Sequence, residues 1–332
     1  MIIFGLLIQT LSMLMRDKGV VLMSVLLIVL LLSSIAAMIG NNYFISLKRA
    51  AYLEFQSSSL NLFRGMEFLA KKKINQEIKF KEFIGKDNSM FVNNIFLEDD
   101  TGYIFSEIFD ASTCFNVNNL VQKNEDNYIP HQESIKVFKR LMLLKEVDER
   151  ETNQMIDQII DWIDIDNRPR SNGLEDYFYT GPSNTNQQYT HNRMFYSQNE
   201  LKNLPSFAGD NWNHLSRFLC AYPIKDFAIN INTLTIDDAL LLSALFTELS
   251  LDDAEYILST LPDSGFKNLS EMYIQYQDIT FGDASGAIAF KTNIFLLTTS
   301  SKVESFESSA SSIIHFKNNN NGYILSRNYN GI

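Results

Sequence analysis

Residues 16–39 read RDKGVVLMSVLLIVLLLSSIAAMI. Arg16, Asp17 and Lys18 form a charged collar, Gly19 follows, and then Val20 to Ile39 runs 20 residues without a charge. A helix rises ~1.5 Å per residue, so this run spans the ~30 Å hydrocarbon core of a bilayer. Leu, Val and Ile each favour insertion by roughly 0.3–0.6 kcal/mol. No small-residue cleavage site closes the run, as a secretory signal would require. Past Gly40, Phe44, Leu47, Ala51, Phe55, Leu62, Met66 and Leu69 recur at threes, fours and sevens. That spacing gathers them on one helix face in need of a partner surface. The sequence therefore predicts one long helix over 20–73, transmembrane over 20–39, with its second half packed on the protein's own sheet. Lys71, Lys72 and Lys73 suit the C-terminal end of such a helix, where positive charge meets the negative end of the dipole.

The remaining composition bounds the rest. A length of 332 residues allows about two domains, and 45% apolar residues are enough for real cores. A net charge of −11 argues against nucleic acid, whose phosphates need a basic surface. It suits a solvated surface that takes divalent cations. Cys114 and Cys220 are too few for a disulfide framework, and two buried free thiols are the expectation. A bridge would need an oxidising compartment and Cα atoms within ~7 Å.

Residues 90–97 and 103–109 read as short strands joined by the turn-rich Glu98-Asp99-Asp100-Thr101-Gly102. From Ala111 to Phe266 the pattern is mostly helical: Glu133 to Leu144, Glu151 to Ile163, Asn199 to Leu204, Trp212 to Cys220, Ile236 to Leu249 and Asp252 to Leu261. Strands are expected again at Glu271 to Phe281, Ala287 to Thr299, Glu304 to Phe316 and Gly322 to Asn328, the last two joined by an Asn-rich hairpin loop at 318–322. The assembly predicted is α+β: a long N-terminal helix on an antiparallel sheet (74–110 and 269–332), with a helical domain, 111–268, inserted between the second and third strands. No repeat period is expected.

The densest chemistry lies at 157–176. Asp157, Asp161, Asp164, Asp166, Glu175 and Asp176 place six carboxylates in twenty residues. A solvated acidic face is one reading. A Ca²⁺ site is the other, since hard cations take six to eight oxygens from a loop that wraps them. Asp164, Asp166 and Glu175 fall at positions 1, 3 and 12 of an EF-hand count, but Arg168 at 5 and Pro169 at 6 exclude that loop. Trp162 and Trp212 are expected as core anchors.

The basic residue and glycine ahead of an apolar run resemble the N-terminus of type IV prepilins and type II secretion pseudopilins. The resemblance implies a leader, 1–19, removed by a prepilin peptidase after Gly19, with Val20 the first mature residue, methylated, and Ser24 the fifth. Met1 to Leu14 is apolar where such leaders are short and basic, so Met13 or Met15 is an alternative start. Most members carry Glu at the fifth position, where it pairs with the terminal amine of a neighbouring subunit; an unpaired carboxylate is expensive in lipid. Ser24 implies a subunit with nothing ahead of it, the tip subunit, protein K of the general secretion pathway.

Further segments are similar to that family in the right order. DWIDIDNRPRSNGLEDYFY, 161–179, resembles its DWIDxDxxPxxxGAEDxYY; Phe115 to Leu120 its FNLNxL; Ser197 to Leu201 its SxxEL; and Ile229 to Thr233 its INVNTA. The resemblance implies Ca²⁺ held by Asp164, Asp166, Glu175 and Asp176, with Asp161 ranked behind them. It implies minor pseudopilins I and J as partners, a single pass through the inner membrane, a periplasmic body and no enzymatic role.

Ile229 to Thr233 also resembles helix-hairpin-helix DNA binders (the SAM-like class). The corresponding link, Leu249-Ser250-Leu251-Asp252-Asp253, is acidic and lacks glycine, so phosphate would be repelled. Asn230, Asn232 and Thr233 are read as caps for the following helix. His131, His191, His214 and His315 have no metal-ligand spacing, and no GxSxG, P-loop or GxGxxG occurs. Two other functions stay open at this point: a membrane-anchored, calcium-dependent periplasmic binding module without a filament, and an anchored hydrolase.

Overall fold

The computed structural model describes residues 2–182, 187–225, 227–303, 306–317 and 321–331, with side chains from Val20 onward. The side chains of the expected leader, including Met13, Met15 and Gly19, and Asn318 to Asn320 of the expected loop lie outside the described residues. Helix α1 runs Ile2–Phe80, and the chain divides after Asn61 into two compact units. In the first unit the apolar stretch from Val20 is exposed and is long and apolar enough to cross a membrane.

In the second unit α1 buries Phe63, Met66, Ala70, Ile74 and Ile78. Their steps of three and four hold one face of a straight helix. Leu62 and Leu69 are exposed, as are Phe44, Leu47 and Ala51, so the expected face is corrected: in this unit it keeps only Met66. The reason is that α1 continues seven residues beyond Lys73, and Ile74 and Ile78 set the phase. Lys71 to Lys73 consequently lie inside the helix. Lys291 meets its last carbonyls instead, donating from Nζ to Ile78 O and, at 2.8 Å, to Lys81 O.

The stripe packs on a five-stranded antiparallel sheet: β1 Ile95–Asp99, β2 Gly102–Asp110, β3 Ile294–Val303, β4 Phe306–His315 and β5 Tyr323–Asn330, adjacent in that order. Phe63 and Met66 meet Ile104 and Ala310; Ala70, Ile74 and Ile78 meet Ile108, Phe295, Leu297, Ile314 and Phe316. Asp99 Oδ1 closes the β1–β2 turn by accepting from Thr101 N at 2.8 Å and Gly102 N at 3.0 Å. A Cβ at Gly102 would lie 1.9 Å from Lys302 O, so β3 approaches closely only because this residue is glycine. The expected first strand at 90–97 is shortened by a helical turn, Ser89–Val92, whose Met90 amide donates to Asn88 Oδ1.

One charge sits within the buried stripe. Glu67 is 5% exposed. Its Oε1 accepts from Ser312 Oγ and Arg327 Nε, both at 2.7 Å, and its Oε2 from an Arg327 terminal nitrogen at 2.8 Å. Burial pushes the Glu67 carboxyl up, but these hydrogen bonds and the guanidinium charge outweigh it and hold it below its ordinary value. The pair ties α1 to β4 and β5. Arg327→Met is expected to lower stability by about 2–3 kcal/mol at pH 7, the lower side of what a broken buried pair costs, because Arg327 is itself 39% exposed. Urea denaturation measures it; a change below ~0.5 kcal/mol would show that Glu67 is satisfied by Ser312 alone.

Between β2 and β3 the chain leaves the sheet and comes back to the same place: Ala111 N donates to Ile294 O at 3.1 Å. A mostly helical stretch thus lies between β2 and β3, and it runs past 268, the expected end of the insert, as far as 293. Glu271 to Phe281, expected as a strand, begins with a helix, Leu269–Gln275, and from 287 to 293 only Ile288–Ala289 is extended, inside the insert. The cause is a local cap: Asn268 Oδ1 accepts from Glu271 N at 3.0 Å, which starts a helix where alternation alone reads as β. Within the insert α2 is Gln132–Leu144, α3 Glu149–Ile163, α4 Ala239–Ala244 and α5 Leu251–Thr260. The expected helices at 199–204 and 212–220 are a 3₁₀ turn, Gln198–Asn203, and a short helix, Asp210–Leu215, followed by 3₁₀ and extended residues. The helix expected at 236–249 starts as 3₁₀ and ends at Ala244.

The cysteines are also corrected. Cys114 and Cys220 form a disulfide with Cα atoms 5.8 Å apart. Phe115-Asn116 pairs in parallel with Leu219-Cys220, and this pairing, made across 106 residues of sequence, is what brings the thiols together. Spacing in the chain carries no trace of it.

Candidate metal centre

Helix α3 begins at an N-cap, Asp148, whose side chain accepts from Arg150 N at 2.8 Å. It ends in Asp161-Trp162-Ile163, with Asp164 as C-cap. Asp161 and Asp164 are one turn apart and so face the same way. The chain then loops out and returns at Glu175, the N-cap of a short helix, Asp176–Tyr179. Asp161, Asp164 and Glu175 are all buried, and one oxygen from each lies within 4.8 Å of the others.

This trio is short of positive charge and of donors. Among the described residues Arg170 is the cation paired with it, with Nε 3.4 Å from Asp161 Oδ1 and a terminal nitrogen 3.8 Å from Asp164 Oδ2, while Arg170 N donates to Asp161 Oδ2 at 3.0 Å. Asp161 Oδ1, Asp164 Oδ1 and both oxygens of Glu175 are buried with no hydrogen-bond donor. Burial, then the charges of Asp161, Asp164, Asp166 and Asp176, push Glu175 up to about 8. Burial first and neighbouring carboxylates second push Asp161 up to about 7 and Asp164 to about 6. Such a group must be neutralised by protons or by a cation. The donors are all carboxylate oxygens, the set that suits a hard divalent ion and not a soft one.

The loop is built to keep the trio together. Asn172 donates from N and Nδ2 to Asp157 Oδ2 at 3.0 and 3.1 Å, pinning the loop to the side of α3. A Cβ at Gly173 would lie 1.8 Å from Asp161 Oδ2, so a side chain at this position would have to displace that carboxylate. Trp162, fully buried, stacks on His191 at 4.8 Å and Phe195 at 6.0 Å and meets the edge of Tyr179 at 4.9 Å. It anchors the core here, whereas Trp212 is only partly buried.

Of the residues expected as ligands, Asp164 and Glu175 are in the trio. Asp166 is exposed and accepts from Arg168 N at 2.9 Å; Asp176 accepts from Thr190 N and Oγ1 at 2.7 and 2.8 Å. Asp161, ranked behind these, is central, and its signal in the sequence was the helical i, i+3 spacing to Asp164. Arg170 and Gly173 take roles that spacing did not indicate. Ser24, in the apolar segment, donates its hydroxyl to Val21 O at 2.8 Å, so it leaves no polar group unpaired in a bilayer.

The pH dependence follows from the raised values. Above about pH 4 the unfolded chain releases protons that the native trio still holds. The trio's contribution to the stability of the cation-free protein is therefore fully present below the ordinary carboxylate range and lost as pH rises through about 6 to 8. Thermal melts of the cation-free protein are expected to show a higher Tm at pH 5 than at pH 8. Greater stability at pH 8 would mean that the trio is not buried as described.

An apolar helix running on into a helix packed across an antiparallel sheet, with a helical body let into that sheet, is a pseudopilin-like architecture. Family models for the type II secretion system (T2SS), protein K, match residues 113–224 and 229–287, and this chain belongs to that family. It is 32% identical over 265 residues to the type II secretion system protein K of Pectobacterium carotovorum subsp. carotovorum, covering 76% of this chain and 78% of that one. To the Aeromonas hydrophila protein K it is 29% identical over 266 residues, covering 77% and 80%. Its fold is similar to a chain in the crystal structure of the GspK-GspI-GspJ complex from the enterotoxigenic Escherichia coli type 2 secretion system, with a TM-score of 0.72 and 20% identity over 85% of this chain and 99% of that chain.

Proposed function

We propose that this chain is the minor pseudopilin at the tip of the type II secretion pseudopilus, where it initiates assembly and supports export across the outer membrane. Residues 20–39 anchor it in the inner membrane and the body lies in the periplasm. A prepilin peptidase cuts after Gly19, and the chain then assembles with minor pseudopilins I and J, as the GspK of the crystallised complex does with GspI and GspJ. The observation that carries this reading is the insert. It emerges where β2 ends and β3 begins, beside Ile78, Ile108 and Phe295 at the C-terminal end of α1, and a body that takes up the chain from 111 to 293 suits the end of a thin fibre and not its repeating shaft. Ser24 adds to it, since it puts no acid at the fifth position of the cleaved chain for a subunit ahead to neutralise. The helical insert, of the SAM-like kind, serves protein contacts.

The acidic trio takes Ca²⁺ through Asp161, Asp164 and Glu175, with Asp166 and Asp176 beside it to strengthen the field. The cation would supply the charge that Arg170 alone does not. Excess Ca²⁺ is expected to raise Tm and to flatten the pH dependence, because a ligand bound only by the native state stabilises it; no shift removes the cation from this reading. The assembly reading is tested by co-expressing the full chain with prepilin peptidase and the I and J subunits of the same system. Cleavage after Gly19 and co-purification of all three are expected. An uncut chain, or one that purifies free of both partners, overturns it.

A further inference from the structure

The insert carries an open strand edge beside a cavity. Past Leu120 the chain makes a hairpin, Val121–Asn124 paired antiparallel with Asn127–Pro130. Leu120 O accepts from His131 N at 2.8 Å, while Val121 N donates back to Asn118 O. These two bonds fix the phase of the ladder. In an antiparallel pair, residues that exchange hydrogen bonds alternate with residues whose N–H and C=O point the other way. Gln122 faces Ile129 and Asn124 faces Asn127 in bonded positions, so Lys123, opposite Tyr128, turns its N–H and C=O outward. Pro130, which has no N–H, falls at the outward-pointing position opposite Val121. The return strand is taken up by the body: Ile165 N donates to Asn127 Oδ1 at 3.2 Å, and Tyr128 packs on the core. On the outgoing strand Gln122, Lys123 and Asn124 are exposed.

That outgoing edge opens on a cavity of about 570 Å³, within the ~300–1,000 Å³ usual for ligand pockets. Val121, Gln122 and Lys123 line it in succession. A strand presents successive residues only along its edge, since each face shows alternate ones. Lys225, Phe227 and Gly286 belong to the other walls. Val121 and Phe227 are buried and make an apolar floor.

The charge of the cleft is positive, on a chain whose net charge is −11. Lysine ion pairs among the described residues are Lys81 with Glu77 and Lys302 with Glu307, so Lys123 and Lys225 have no carboxylate partner there. Glu133 is the carboxylate that lines the cleft. It lies in the first turn of α2, where it offsets the positive end of the helix. A lysine on a strand edge also guards against stray pairing. That role needs neither a second lysine from a separate turn nor a cavity between the two.

The geometry points to a peptide-binding cleft: an extended acidic segment of a partner protein adds to Val121–Asn124 as a third strand. The outward N–H and C=O of Lys123 bond its main chain, its carboxylates meet Lys123 and Lys225, and an apolar side chain rests on Val121 and Phe227. Recognition of this kind takes its affinity from main-chain bonds and its preference from the side chains beside them. It depends neither on the cation nor on the place of the chain in a fibre.

Fluorescence anisotropy tests it, with the full chain in non-ionic detergent micelles and two labelled peptides, Val-Glu-Val-Asp-Val and Val-Lys-Val-Lys-Val. The acidic peptide is expected to bind at least about tenfold more tightly at low salt, with the gap narrowing as salt is added. Lys123→Glu combined with Lys225→Glu is expected to reverse the preference. Equal affinity for the two peptides, or no saturable binding of the acidic one, overturns the proposal.

The strand addition has its own test. Lys123→Ala removes the charge alone, whereas Lys123→Pro also removes the outward N–H and touches no ladder bond. The proline variant is expected to bind the acidic peptide about three- to tenfold more weakly than the alanine variant, as loss of one hydrogen bond implies; equal binding overturns strand addition. Hydrogen exchange on the unaltered chain gives the same answer without a variant. The acidic peptide is expected to slow exchange of the Lys123 amide at least about tenfold and to leave the Ile129 amide, already in the ladder, unchanged. An unprotected Lys123 amide at saturating peptide overturns it.

Discussion

Replacing Cys114 and Cys220 together by serine is expected to lower the unfolding free energy by about 4–5 kcal/mol. The bridge closes 106 residues of chain, and a loop of that order restricts the unfolded ensemble by about this amount in the chain-entropy account, which is model-dependent. Against a typical total of about 5–15 kcal/mol, this is a large fraction of the whole. The effect concentrates at one place, because the bridge is set beside the parallel pair of Phe115-Asn116 with Leu219-Cys220. Urea denaturation of the oxidised chain, the reduced chain and the double variant measures it, with the reduced chain and the variant expected to coincide. A loss below ~1 kcal/mol would show that the pair and the surrounding core hold those ends together unaided.

Trp162→Ala is expected to cost about 3–5 kcal/mol, as truncation of a large, fully buried aromatic does. Its indole contacts Tyr179, His191 and Phe195, which lie at the return of the acidic loop and beyond it. The loss of stability should come with faster exchange in the 164–182 backbone and a weaker response to divalent cations. Trp212→Ala is the control: its ring is only partly buried and lies under Lys202, 4.7 Å from the ring centre, and a smaller loss with no change in cation response is expected. Equal losses at the two sites would sink the assignment of Trp162 as the anchor of the loop.

The residues differ in how much of this was legible. The apolar run from Val20, the two-part sheet and the insertion between its second and third strands follow from periods of 3.6 and 2, which are local properties of the chain. Asp164 and Glu175 were legible as candidate ligands because they share a short stretch. The central place of Asp161 was half legible: its spacing to Asp164 puts both on one helix face, but only the fold shows that Asp161 is wholly buried. Ile74 and Ile78 were missed because three lysines looked like a helix end, when the cation that meets the end, Lys291, comes from more than 200 residues away. The helix at Leu269–Gln275 was missed because a cap is one hydrogen bond, from Glu271 N to Asn268 Oδ1, and alternation over a few residues imitates a strand.

The sequence by itself determined what depends on neighbours along the chain: which segment is long and apolar enough to cross a bilayer, where most of the sheet strands and the long helices form, and which acids lie close enough in the chain to meet. Tertiary structure alone decided the pairing of Cys114 with Cys220, the phase of α1 on the sheet, the Glu67–Arg327 pair and the hydrogen bonds that tie Asn118 to Phe195 and Asn232 to Phe266. Each of these joins groups dozens to hundreds of residues apart. Their energy comes from burial and from hydrogen bonds made in three dimensions, which no spacing along the chain records.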